Sequence, residues 1–312
     1  MPSAQVTMGG ENTVQKTEMR LKKALCGVGA HECIHYSFFS PSDLDLLRLP
    51  ADAPERHAIR IMNPINEELS LMRTTLAASM LNAIARNCKR GNLKGRLFEI
   101  GRTFIPKELP LTEYPDERET LCVGCFGDGE DFYTIKGMAE TVAKDLFLEF
   151  AYEPGKKPYL HPYQTAIIFC EGIEVGYLGK GAYEVAEQLD LRGDAYIMEI
   201  DMKLLSQWYD RKAAFTPMSK FPEESRDLAL VMDKEVSCGQ VEAIIRKACA
   251  YVKGIKLFDV YEGEQIPADK RSMAFTIEFK PKEQAFETDS VDKFVNKILK
   301  NLKNQLDIDI RS

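Results

Sequence analysis

Along residues 221–312 the spacing of apolar positions switches between strand and helix periods. Leu228, Leu230 and Met232 alternate with Ala229 and Val231, an apolar run that suits a buried strand. After the turn residues Ser237-Cys238-Gly239, Val241, Ile244, Ile245 and Ala248 recur at helical spacing. Alternation then places Ile255, Leu257, Asp259 and Tyr261 on one face of a second strand, and Lys256, Phe258 and Val260 on the other. Gly263 and Pro267 punctuate the connection to a third strand. There Met273, Phe275, Ile277 and Phe279 alternate with Ala274, Thr276 and Glu278. Thr288 is the expected cap of a long helix whose stripe is Val291, Phe294, Val295, Ile298, Leu299, Leu302 and Leu306. Lys293, Lys297, Lys300 and Lys303 lie towards its outer side. Ile308-Asp309-Ile310 closes a β-α-β-β-α-β order, the ferredoxin-like split arrangement. Such a domain leaves one sheet face open, and open faces of this kind can bind single-stranded RNA.

The preceding two-thirds mixes helices and strands. Residues 12–27 predict an amphipathic helix with Val14, Met19, Leu21 and Leu25 as apolar members, ended by Gly27 and Gly29. A strand from His35 towards Pro41, a short helix over Leu44–Leu49, and a strand over Ile59–Asn63 before Pro64 follow. A helix then runs through Asn87, and Leu97–Phe104 and Ala195–Met202 predict strands. Pro217 and Pro222 flank a polar boundary, giving domains 1–212 and 213–312. The fold class is α+β.

Composition narrows the field. The chain has 312 residues, 45% hydrophobic and 29% charged, which suits a protein with a proper core. No apolar run approaches the roughly 20 residues needed to span a bilayer. The start at Met1-Pro2-Ser3 is unlike a secretory signal, so a cytoplasmic location is expected, with no membrane partner. The net charge of −7 argues against a grip on nucleic acid through a general positive field. Residues 214–312 hold 16 Lys and Arg against 17 Asp and Glu, so RNA contacts there must come from shape, stacking and a few cations.

Several groups invite chemistry. Cys122 and Cys125 form a C-x-x-C, read as a redox pair, half a zinc site, or two small residues in a strand. Zinc takes about four ligands and no second pair is present, which favours the strand. His31, Cys33 and His35 would share a strand face; three possible ligands at strand spacing also arise by chance, and that reading is preferred. Glu99 and Arg102 are a tempting catalytic pair, but a structural ion pair or polar cap at a strand end is the favoured reading, since ion pairs are common without chemistry. His161, held extended before Pro162, suits a structural hydrogen bond.

Four phrases carry a family resemblance: Phe221-Pro222, Arg226-Asp227-Leu228-Ala229, Leu257-Phe258-Asp259-Val260-Tyr261, and Lys270-Arg271-Ser272 with Ala274-Phe275. They resemble the ferredoxin-fold anticodon-binding domain of bacterial phenylalanyl-tRNA synthetase β subunits. Asn63-Pro64, Met72-Arg73-Thr74, Leu97-Phe98-Glu99-Ile100-Gly101-Arg102, Leu160-His161-Pro162 and Gly176-Tyr177-Leu178-Gly179 extend the resemblance to that family's catalytic-like core. The pattern departs at Tyr163-Gln164-Thr165, where the family has Gly-Arg-Ser, and at Lys180-Gly181-Ala182-Tyr183, where it has Glu-Leu-His-Pro.

The resemblance implies a class II synthetase-like antiparallel sheet followed by the anticodon-binding domain. It also implies an α2β2 assembly with a synthetase α subunit that binds ATP and Mg²⁺, and tRNA(Phe) as the RNA partner through its anticodon stem-loop. The chain itself shows no Gly-rich, Arg-bearing strand near the end of the core, no P-loop and no G-x-S-x-G, so a catalytically silent core without its own cofactor or metal is expected. RNA contacts are expected at Arg226, Phe258, Tyr261, Lys270 and Arg271, with Phe258 buried and Tyr261 exposed, and with Lys270 and Arg271 on phosphates. The rival expectation is an interaction protein with a degenerate synthetase core and no RNA role.

Overall fold

Long apolar alternation builds two separate sheets. In the computed structural model, the described residues are 9–215, 218, 220–263, 266–282, 284–287 and 289–311. The expected cap Thr288, the start Met1-Pro2-Ser3 and the boundary residue Pro217 lie outside them. The chain divides into residues 1–213 and 214–312. Among the described residues, no helix is long and apolar enough to cross a membrane.

Unit 1 is a seven-stranded sheet. Its strands are β1 (His31–Glu32), β4 (Gly95–Ile105), β5 (Asp116–Phe126), β6 (Phe150–Pro154), β7 (Leu160–Cys170), β8 (Ile173–Gly181) and β9 (Ala195–Asp201), in the order β1-β4-β5-β9-β8-β7-β6. All pairings are antiparallel except β1 with β4. Between β1 and β4, the short pair β2 (Phe38–Phe39) and β3 (Leu71–Met72) forms a separate ribbon. The strand expected over Ile59–Asn63 is reduced to one bridge, Arg60 with Leu71, and the expected strand from His35 shrinks to β2.

Alternation decides which helices cover which face. Leu121, Val123 and Cys125 of β5 meet α1 (Thr13–Gly27), α4 (Phe132–Asp145) and α6 (Met202–Ser206). Cys122 and Phe126 point the other way, against α2 (Pro41–Leu46), α3 (Ala77–Lys89) and α5 (Tyr183–Gln188). The sheet is thus sandwiched, both faces buried. α1 starts at a reciprocal cap between Asn12 and Gln15 and buries Thr17, Leu21 and Leu25, whereas the expected apolar member Met19 is exposed.

Unit 2 follows the order β10 (Glu224–Asp233), α7 (Cys238–Ala248), β11 (Val252–Tyr261), β12 (Lys270–Phe279), α8 (Ser290–Leu306), β13 (Asp309–Ile310). Its sheet order is β11-β12-β10-β13, antiparallel throughout. Leu228, Leu230, Met232, Met273, Phe275, Ile277 and Phe279 face α7 and α8 and form the core with Val241, Ile245, Ile298 and Leu302. Both helices lie on that side.

Candidate nucleic-acid interface

Pairing register assigns the outer face of the unit 2 sheet. Residues opposite one another in an antiparallel pair share a face. Leu228 pairs with the core residue Phe275, so Ala229 with Ala274, Val231 with Ser272, and Asp227 with Thr276 point outward. On β11, Tyr261 pairs with Ser272 and Asp259 with Ala274, which also puts both outside.

This corrects the strict alternation expected for β11. Ile255 and Leu257 pair with the core residues Ile277 and Phe275 and face inward. The register shifts between Leu257 and Asp259, a β-bulge that leaves Phe258 without a partner. The extra residue reverses the faces beyond it, turning Asp259 and Tyr261 outward. Phe258 was expected to be buried; at the bulge it is 52% exposed. Tyr261, expected to be exposed, is half-buried, because the Arg311 guanidinium lies 4.6 Å from its ring centroid.

Tyr261 and Arg311 come from opposite edges of the sheet. They meet across small side chains, which is why Ser272 and Ala274 are only 3% and 9% exposed on the face opposite α7 and α8. Around them, Lys270 pairs with Asp233 at 3.8 Å and Thr276 Oγ1 donates to Asp227 at 2.7 Å. The face therefore offers an aromatic ring, a guanidinium, a hydroxyl and a lysine above a shallow floor.

The five expected RNA residues divide. Tyr261 and Lys270 share the outer face. Arg226 pairs with Ile277 and Arg271 with Met232, so both face the helices. Arg226 contacts Glu224 at 3.3 Å and Asp292 at 3.4 Å, and Arg271 donates to the Val236 carbonyl at 2.6 Å. Sequence reasoning missed Arg311, Ser272 and Ala274. Their signal was there: on β12, small residues alternate with Met273 and Phe275, as a face approached closely by another group requires.

In unit 1 the sequence-marked groups hold structure. Glu99, 3% exposed, accepts from His35 Nδ1 at 2.6 Å and from Arg73 Nη1 at 2.9 Å, while Arg73 Nε donates to the Arg102 carbonyl at 2.8 Å. Burial pushes the Glu99 carboxyl up, but the His35 hydrogen bond and the charge of Arg73 outweigh it and lower its pKa. Arg102 does not meet Glu99; it pairs with Glu117 at 2.9 Å. Cys122 and Cys125 sit on opposite faces of β5, too divergent for a redox pair, and burial pushes both thiols up. His31 is exposed, whereas Cys33 Sγ contacts the Phe98 carbonyl at 3.3 Å, so the three residues form no common site. His161 Nδ1 accepts from the Tyr163 amide at 3.2 Å.

A second buried network fills the α3 side of β8 and β9. Glu199 accepts from Thr75 Oγ1 at 2.8 Å, the Leu76 amide at 2.6 Å and Tyr177 Oη at 2.5 Å. Tyr159 Oη donates to Tyr177 Oη at 2.7 Å. Burial, then the Glu199 charge, raises both phenols well above their ordinary value.

Comparison with known proteins agrees with this division. The family model described as phenylalanyl tRNA synthetase beta chain CLM domain matches residues 1–202, and the ferredoxin-fold anticodon binding domain matches residues 219–311. The phenylalanine–tRNA ligase beta subunit of Clostridium tetani is 35% identical over 97% of this chain and 38% of its own length. That of Clostridium acetobutylicum is 31% identical over the same shares. This chain thus spans well under half the length of these relatives. The solved pyrrolysyl-tRNA synthetase from Desulfitobacterium hafniense shares the fold at a TM-score of 0.50 and 18% identity, covering 62% of this chain and 67% of that one. With both family models matching in order across nearly its whole length, the chain belongs to the phenylalanine–tRNA ligase β-subunit family.

Proposed function

We propose that this chain is the C-terminal part of a phenylalanine–tRNA ligase β subunit: unit 1 packs against the catalytic α subunit, and unit 2 binds the anticodon stem-loop of tRNA(Phe). In this reading unit 1 has the class II synthetase architecture, and ATP and Mg²⁺ belong to the α subunit of an α2β2 enzyme. The RNA role rests on one observation, the uncovered sheet face carrying Tyr261 over a floor of small residues. A base stacks on a tyrosine ring whatever its identity, and small neighbours let its edge approach the strands. Thr276 supplies a hydroxyl that reads a base edge, and Lys270 reaches a phosphate. Phe258, exposed at the bulge, offers a second ring.

The silent-core reading has its own support. An adenylate-forming core keeps an open, cationic sheet face for the triphosphate. Here helices pack on both faces, and Glu199, Tyr177 and Tyr159 close the space above β8 and β9 around a carboxylate that repels phosphate. The anticodon-binding family match favours an RNA role over a purely structural one.

Tyr261→Ala in the reconstituted enzyme is expected to weaken tRNA(Phe) binding by roughly 5- to 150-fold, equivalent to about 1–3 kcal/mol of stacking. Unchanged affinity would sink the sheet-face assignment. Incubating the chain alone with ATP, phenylalanine and tRNA should yield no aminoacyl-tRNA; charging would overturn the silent core.

A further inference from the structure

The outer side of α8 carries a charge pattern that folding does not use. Val291, Ile298 and Leu302 bury one side of this helix. At 100° per residue, Lys293, Lys297 and Lys300 share the opposite side, and all three are exposed. Among the described residues, none of the three has a carboxylate within ion-pair distance. Lys303 differs, being paired with Asp307 and Asp309. The sole carboxylate of α8, Asp292, is spent on Arg226.

A helix selected only for solubility alternates Glu with Lys at i,i+4 and gains stability from it. Lys293 and Lys297 instead stand at i,i+4 as like charges, and Lys300 follows at i+3 from Lys297, an arrangement that costs helix stability until an anion arrives. The neighbouring α7 adds exposed Arg246 and Lys247. The opposite side of the domain is different in kind, since the outer sheet face sets Asp227, Asp233, Asp259 and Glu278 among its cations. In a unit with 16 basic and 17 acidic residues, α8 stands out, with four lysines against one aspartate.

We propose that the Lys293–Lys297–Lys300 row is a second RNA surface, which takes the sugar–phosphate backbone of folded RNA without reading its sequence. The row spans about 10 Å, from seven steps of about 1.5 Å. That is long enough to meet several phosphates of one backbone strand. It lies across the domain from the base-stacking face, so it engages a different RNA segment. The proposal depends on the function argued above only for the nature of the polyanion.

The test uses the full chain with a blunt RNA duplex that has no loop, with tRNA(Phe) transcript, and with phosphatidylglycerol vesicles. Replacing the row by Lys293→Gln, Lys297→Gln and Lys300→Gln together is expected to weaken duplex binding at least tenfold at about 0.1 M salt. It should also flatten the dependence of log K on log salt by about 2–3. The corresponding triple Arg variant should restore both. Tyr261→Ala should leave duplex binding unchanged while weakening the transcript, which separates this surface from the sheet face. Equal duplex affinity and salt slope in the Gln variant overturns the proposal even if Tyr261→Ala behaves as expected. A loss confined to the vesicles overturns it too, by assigning the row to a lipid surface.

Discussion

Glu99 shows how a residue marked by its chemistry can serve packing instead. It is buried on β4 with Arg73 and His35 in hydrogen-bond contact, and Gly101 leaves the space that the Arg73 guanidinium occupies. A Cβ at Gly101 would collide with Arg73 Nη2, so no other residue fits there without moving the pair. Breaking a buried ion pair by removing one partner strands the other charge, typically at a cost of about 3–5 kcal/mol. Glu99→Gln is expected to cost that much in urea unfolding at neutral pH. The pH dependence has a definite sign. The folded-state pKa is lowered, so the stabilisation is fully present above the unfolded value of about 4.3 and is lost as pH falls through the folded one. Glu99→Gln should therefore unfold with a shallower loss of stability below about pH 4.3 than the parent. Parallel acid limbs for the two proteins would refute this account of Glu99.

At the scale of elements, the bulge in β11 decides which residues reach the outer sheet face. Regular alternation from Leu257 would bury Tyr261 among the helices; the unpaired Phe258 turns it out to the open face. Phe258 is the extra residue, so deleting it should preserve the pairing of Asp259 with Ala274 and of Tyr261 with Ser272. Cross-strand NOEs between these pairs are expected to survive in the deletion variant. If Tyr261 instead moves into the core, the bulge does not set the face. The same scale explains Arg226 and Arg271, which sequence reasoning placed on RNA. Their strand parity puts them on the helix side, where Arg226 contacts Asp292 and Arg271 donates from Nη2 to the Val236 carbonyl.

For the whole molecule, each unit closes its own core. Among the described residues, the buried cluster of unit 2 is drawn mainly from β10, β12, α7 and α8. Domains with their own core fold as cooperative units. The excised 214–312 segment is expected to give a single sigmoidal thermal transition by far-UV circular dichroism; a broad, non-cooperative melt would show that its core is incomplete.

Much of this architecture was legible from residues 221–312 alone. Helix and strand periods gave the β-α-β-β-α-β order, because burial of one face imposes those periods locally. The family resemblance likewise lay in the chain, in phrases such as Phe221-Pro222 and Lys270-Arg271-Ser272. What the periods could not reveal was the pairing between distant strands. A single extra residue at Phe258 reverses every face beyond it, and that reversal exists only relative to β12. The meeting of Tyr261 with Arg311, the divergence of Cys122 from Cys125, and the burial of Glu199 under two tyrosines likewise join segments far apart in sequence. Local sequence determined the elements, since propensity and amphipathicity act over a few residues; the tertiary structure decided the site, since a surface is made of neighbours that only strand register brings together.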